Sequence, residues 1–336
     1  MNSPPLESPA KTLETLKYGF YQRLRAEFPS QVIIDTTEIC NLACVHCPHP
    51  TFKKSEHYSG ACLDPALNAK AIDEVRAHGR SYTQYVRYTG EGETLLHKGF
   101  FEMLSYATAN AGVAVTVTTN GVLLDEARIE RLLSCGPHLV DISIDAHSPE
   151  VYSSIRVRGD LRRTRSNVLN LLRRRSRSNS RTKVVVSFIE QPQNLHETRE
   201  FERFWKENGA DCVAVRRLHS AAGELHLVAA ALNEGGQQLP RRPCVYPWER
   251  VVLNPRGHLS FCPADWAHRS TVSDYRRTTI KETWRSEFYQ QLRQAHLGGD
   301  FSRHAFCAQC PDWKITVWPQ RGRGYADMVE DFKARE

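Results

Sequence analysis

The chain has 336 residues, 40% of them hydrophobic and 25% charged, with a net charge of +7, so it holds enough apolar material for one large domain or for a medium and a small one. No apolar run approaches the ~18–20 residues that span a bilayer, and the polar, Pro-rich stretch from Met1 to Lys11 has no apolar core of a secretion signal, so the cytoplasm is the expected location. In that reducing compartment ten cysteines point to metal or redox chemistry rather than to disulfides.

Residues 1–30 are predicted as an N-terminal arm with one amphipathic helix over Lys11–Ala26. From Gln31 the pattern alternates β-branched apolar runs with helical periodicity. Strands are predicted at Val32–Thr37, Gln84–Thr89, Val113–Thr119, Leu139–Asp145, Lys183–Ile189 and Asp211–Arg217. Helices are predicted between them at Pro65–His78, Gly99–Ala109, Asp125–Ser134, Arg163–Arg175 and Glu197–Asn208. Six strand–helix units imply a parallel α/β sheet with right-handed connections, curled into a partial (β/α)6 TIM-like barrel over residues 31–217. Gly235, Gly236 and Pro240 mark residues 218–243 as a linker. Residues 244–336, with four cysteines and little periodicity, read as a small domain that needs a metal staple.

The sharpest local signal is Cys40-Asn-Leu-Ala-Cys44-Val-His-Cys47, directly after the first strand and therefore at the face where such barrels carry chemistry. Three thiolates can wrap one metal centre and leave a position open, as a catalytic centre requires. A zinc knuckle completed by His46 or His49 is the competing reading, but it does not need six strand–helix units after it. A second set, Cys244, Cys262, Cys307 and Cys310, offers four ligands, with Cys307-Ala-Gln-Cys310 a common ligand pair; a zinc ribbon is its competing reading. Cys135 and Cys212 flank strands and read as packing residues. The basic run Arg162–Lys183 contains eight arginines and one lysine. With few aromatics between them it reads as a solvated helix face, which makes nucleic acid an unfavoured partner. A zinc-stapled nucleic-acid-binding protein is the reading from another class.

Further motifs end the successive strands: Tyr88-Thr-Gly-Glu-Gly-Glu93, Thr118-Thr-Asn-Gly121, Ile142-Ser-Ile-Asp-Ala146, then Tyr152-Ser-Ser-Ile-Arg156 and Gly159. Together with Cys-x3-Cys-x2-Cys they resemble the radical S-adenosylmethionine superfamily, over roughly residues 31–217. Glu91-Gly92-Glu93 is similar to that family's Gly-Gly-Glu motif, although Thr94 stands where the family often has Pro. The C-terminal cysteines resemble the auxiliary-cluster domains called SPASM and, in the one-cluster form, twitch.

The resemblance implies two 4Fe–4S clusters, one on Cys40, Cys44 and Cys47 and one on Cys244, Cys262, Cys307 and Cys310. It implies S-adenosylmethionine held by Gly90, Glu91, Gly92, Glu93, Thr118, Asn120, Ser143, Asp145 and Arg156, the arginine pairing with the cofactor carboxylate. It implies reductive cleavage of the sulfonium to a 5′-deoxyadenosyl radical that removes a substrate hydrogen atom, with flavodoxin or ferredoxin as electron donor. A fully ligated second cluster suits electron transfer, hence oxidation or epimerisation of a small polar substrate such as a sugar or aminocyclitol. A peptide substrate is the alternative, disfavoured because too little chain precedes Gln31 for a peptide-binding winged helix. Candidate catalytic groups are Cys62 as hydrogen-atom donor, and Glu190, Asp265 and His219 as bases.

Overall fold

The computed structural model describes residues 27–234, 241–315 and 325–333; the helix expected over Lys11–Ala26 and the glycines at 235 and 236 lie outside them. Six parallel strands follow in order: β1 Gln31–Ile34, β2 Tyr85–Tyr88, β3 Ala114–Thr119, β4 Leu139–Ser143, β5 Lys183–Glu190 and β6 Cys212–Arg217. Between them run α1 Pro65–Glu74, α2 Phe100–Asn110, α3 Glu126–Cys135, α4 Pro149–Ile155, α5 Leu161–Arg177 and α6 Thr198–Glu207. Helix α4 is one the periodicity does not mark. It is short, and its signals are the N-cap Ser148, which accepts from Val151 N, and Pro149 in its first turn. Helix α3 starts on Asp125 and stops at Gly136, which takes the left-handed φ of 63°.

The C-terminal segment continues the same sheet. After α7 His226–Glu234 comes β7 Arg250–Leu253, which pairs in parallel with β1 on the side opposite β2. Antiparallel β8 His258–Ser260 and β9 Thr271–Asp274 follow, giving one open nine-stranded sheet ordered β6-β5-β4-β3-β2-β1-β7-β8-β9. Helices α8 Ile280–Arg285, α9 Glu287–Gly298 and α10 Ala305–Gln309 close this end over a separate core of Phe261, Trp284, Tyr289, Leu292 and Phe301.

Both faces of the parallel strands are buried, which is why they read as near-continuous apolar runs. Val32, Ile34, Val86, Val115, Val117, Val140 and Val184 pack outward against the helices. Ile33, Tyr85, Ala114, Leu139, Val185 and Val252 turn inward and are covered by α11 Tyr325–Lys333 through Tyr325, Met328 and Val329. Farther along the concave face the chain is polar. Asp141 is fully buried and takes Arg87 Nη2 at 3.1 Å, Arg216 Nη2 at 2.8 Å and the Ser187 hydroxyl. Burial alone would raise this carboxyl, but the two guanidiniums outweigh it and hold it below the usual range. No helix of the described residues is long and apolar enough to cross a membrane.

Candidate active site and two cysteine centres

The loop after β1 carries Cys40, Cys44 and Cys47 and is strapped from two sides. Ala43 N donates to Val157 O just beyond α4 and Val45 N to Ile155 O at its last residue, and Glu93 N donates to Ile39 O. Leu42 and Val122 pack among the three thiols. Burial pushes Cys40 up to about 11, Cys47 up to about 12, and Cys44 up as well. Metal loading must therefore expel protons from these thiols.

The imidazoles of this loop are engaged elsewhere. His46 Nε2 lies 3.4 Å from Asp145 Oδ2 and its Nδ1 lies 3.4 Å from Gln191 Nε2, while His49 Nε2 lies 2.8 Å from Glu38 O. Burial keeps His46 neutral, its pKa depressed to about 4.

Cys244, Cys262, Cys307 and Cys310 line one cavity of about 270 Å³, walled by Tyr246, Phe261, Phe306 and Trp313. Arg241 lies against it and donates to Cys307 O and, at 2.9 Å, to Ala308 O, placing a positive charge beside the thiols. The donor set of each centre, all sulfur with the imidazoles neighbouring the first engaged elsewhere, fits an iron–sulfur cluster.

The strand-end motifs converge beside the first centre. Glu93 accepts from Thr119 Oγ1 at 2.6 Å and Asn120 N at 2.8 Å, and Asn120 Nδ2 donates to Asn41 Oδ1 in the cysteine loop at 2.9 Å. Asp145 takes Arg156 Nε at 2.8 Å, and Arg156 Nη1 lies 3.8 Å from the Cys44 sulfur. Gly90 and Gly92 are required by packing: a Cβ on Gly90 would overlap the Asp35 carboxyl, and one on Gly92 the carbonyls of Thr37 and Ile39. Ser143 is half-buried at the end of β4. Thr118 turns to the concave face and accepts from Arg87 Nε at 3.0 Å.

The candidate catalytic residues scatter. Cys62 is exposed, its sulfur 3.3 Å from the Thr37 hydroxyl. Glu190 accepts from Thr198 Oγ1 at 3.2 Å at the end of β5. His219 lines the wall of the second centre. Asp265 alone of the four lines a further cavity of about 130 Å³, together with Asp35, Glu91, Asn254, Ser260, His268 and Cys262. Cys262 thus belongs to the walls of both the second centre and this cavity. Asp35 and His268 escape sequence reasoning, although Asp35 gave a signal as the first acid after an apolar strand. Arg241, Asn41 and His268 gave none.

This geometry defines a class, an iron–sulfur protein with a three-cysteine centre in the loop after the first parallel strand and a four-cysteine centre in the C-terminal segment. The comparisons with known proteins agree. The model of the radical SAM superfamily matches residues 34–201, and that of an iron–sulfur cluster-binding domain, SPASM, matches residues 244–311. The chain belongs to the radical SAM superfamily, and its cofactors are a 4Fe–4S cluster in each region and S-adenosylmethionine.

Among curated relatives, a GTP 3′,8-cyclase of Chlorobaculum tepidum is 34% identical over 37% of this chain and 35% of its own length. The mycofactocin maturase MftC of Mycolicibacterium smegmatis is 30% identical over 56% of this chain and 45% of its own. The chain thus matches less than half the length of these relatives. Among solved structures, BtrN in complex with AdoMet and 2-DOIA has a TM-score of 0.57 at 16% identity, covering 88% of this chain and 97% of that one. Streptococcus suis SuiB bound to precursor peptide SuiA has a TM-score of 0.63 at 14% identity, covering 98% and 80%. At these identities the likeness is one of fold.

Proposed function

We propose that this radical SAM enzyme works in the cytoplasm and oxidises a small polar substrate, a sugar or aminocyclitol, in the cavity that Cys262 shares with the second centre. The observation that carries this reading is the shared wall: Cys262 faces both the cavity and the second centre. When bound, the first cluster with S-adenosylmethionine supplies a radical that removes a carbon-bound hydrogen atom, and the second supplies an electron acceptor. Flavodoxin or ferredoxin is the proposed reductant.

The chain's own part is to orient, to exclude water and to take a proton. Oxidation of an alcohol to a ketone removes one hydrogen atom from carbon, one proton from oxygen and one electron. Asp265 is the proposed proton acceptor, because it lines the cavity and is only 7% exposed. Its orientation is fixed by Ala267 N at 3.1 Å and Ser270 N. The residues proposed to hold S-adenosylmethionine are those of the strand-end motifs, Gly90 to Glu93, Thr118, Asn120, Ser143, Asp145 and Arg156. Epimerisation would need a hydrogen-atom donor at the substrate, and the exposed position of Cys62 favours oxidation instead.

A peptide side chain as substrate is the second reading, favoured by the match to MftC, a maturase by its name. The two part on one assay. Cyclitols, amino sugars and peptides are offered to the reconstituted enzyme with reductant, and deuterium transfer into 5′-deoxyadenosine is followed beside oxidised product. The proposal expects transfer from a polyol, with Cys262→Ala retaining transfer and losing ketone. Ketone at the wild-type level in that variant, or transfer from peptides alone, contradicts it.

A further inference from the structure

The wall of the second centre holds three hydrogen-bond donors that the protein leaves unused. Arg241 Nε, Arg250 Nε and His296 Nε2 are each buried without a hydrogen-bond partner, and all three residues line the cavity of Cys244, Cys262, Cys307 and Cys310. A buried donor left unpaired is costly, and three of them around one cavity point to an acceptor that belongs there.

Their other contacts hold them in place. His296, on α9, is only 5% exposed, and its Nδ1 accepts from Cys244 N at 3.2 Å. A ring that accepts at Nδ1 is neutral and carries its one proton on Nε2, so that nitrogen is a donor and does not serve as a metal ligand. Arg241 lies over Phe301, its guanidinium carbon 4.0 Å from the ring centre, and its two other nitrogens donate to the carbonyls of Cys307 and Ala308. Arg250 Nη2 pairs with Glu249 Oε2 at 3.0 Å, which offsets its charge. The carboxylate of this wall, Asp312, takes Ser220 N and Oγ at 2.7 Å and Ala222 N at 2.8 Å, so it is committed elsewhere. A cluster held by four thiolates presents sulfurs that accept hydrogen bonds.

We propose that His296 Nε2, Arg241 Nε and Arg250 Nε donate hydrogen bonds to sulfurs of the second cluster and so hold its reduction potential up. Reduction adds a negative charge to a group that is already anionic. Donors on its sulfurs, above all a cationic one, stabilise the reduced form more than the oxidised form. The three are positioning residues that act through the cluster, and they make the second centre a stronger electron acceptor whatever the substrate is.

The midpoint potential of the second cluster tests this. It is followed by electron paramagnetic resonance in a mediated titration of the full chain carrying Cys40→Ala, Cys44→Ala and Cys47→Ala, so that the second cluster is read by itself. Arg241→Met removes a charge and a donor and should make the cluster at least about tenfold harder to reduce, a fall of ~59 mV for a one-electron couple. His296→Phe and Arg250→Lys each remove the donor without changing the charge, and each should make it about threefold harder to reduce. An unchanged potential in one of these variants, with its iron retained, overturns the assignment of that residue, and unchanged potentials in all three overturn the proposal. Where a variant loses its iron, the chain without that substitution decides. With isotopically labelled side-chain nitrogen in histidine or in arginine, double-resonance spectra of the reduced cluster should show a coupling to the label, and no coupling from either residue type overturns the proposal.

Discussion

Arg156 donates from Nε at 2.8 Å and from Nη2 to one oxygen of Asp145, and the same guanidinium stands 3.8 Å from the Cys44 sulfur. Both residues are buried, and Asp145 holds a left-handed φ of 62°. The pair therefore shares one positive charge between a carboxylate and the cysteine centre, and breaking it strands a buried charge.

Asp145→Asn keeps the shape and tolerates that backbone conformation while removing the charge. It is expected to cost ~3–5 kcal/mol of stability, because Arg156 then lies buried without its counter-ion. Urea denaturation of the cluster-free protein measures the loss, and Arg156→Met in the same background should restore part of it.

Gly92→Ala acts on the first centre alone. Its methyl group would collide with the carbonyls of Thr37 and Ile39, so the stretch leading into Cys40 must move. Iron per chain should fall by about half, the cluster of the second centre, on Cys244, Cys262, Cys307 and Cys310, being untouched. Iron analysis of the reconstituted variant reads the change directly.

Asp35 makes stability depend on pH with a definite sign. Its folded pKa stands near 8, raised chiefly by burial, against an ordinary carboxylate value when unfolded. The protonated form is the one the fold favours, so this stability is present below the unfolded pKa and declines as pH rises toward 8. Thermal midpoints of the cluster-free chain should fall from pH 5 to pH 8 more steeply in wild type than in Asp35→Asn. Parallel curves would contradict it.

The first six strands are plain in the sequence because their apolar runs are buried on both faces, and the cysteine loop is plain because its ligands sit within eight consecutive residues. The place of β7 is not, since its pairing with β1 joins residues 219 positions apart, as the Ser30 hydroxyl bond to Glu249 O shows. No local pattern encodes such a partner. The Arg87–Asp141–Arg216 network is equally hidden, because three charged residues on separate strands meet only once the sheet curls. The acidic cavity has the same origin: Asp35 and Glu91 come from the segments after β1 and β2, and Asp265 from the segment after β8. Sequence reasoning had Glu91 and Asp265 for different duties and did not foresee that they share a wall with Cys262.

The assignment of both centres turns on metal content. Iron, labile sulfide and zinc are measured per chain on protein reconstituted without oxygen, for wild type and for the triple variant Cys40→Ala, Cys44→Ala, Cys47→Ala. Two clusters on the seven cysteines predict about eight irons and eight sulfides in wild type and about four of each in the variant. Stoichiometric zinc without iron in wild type, or an unchanged iron content in the variant, would contradict the assignment.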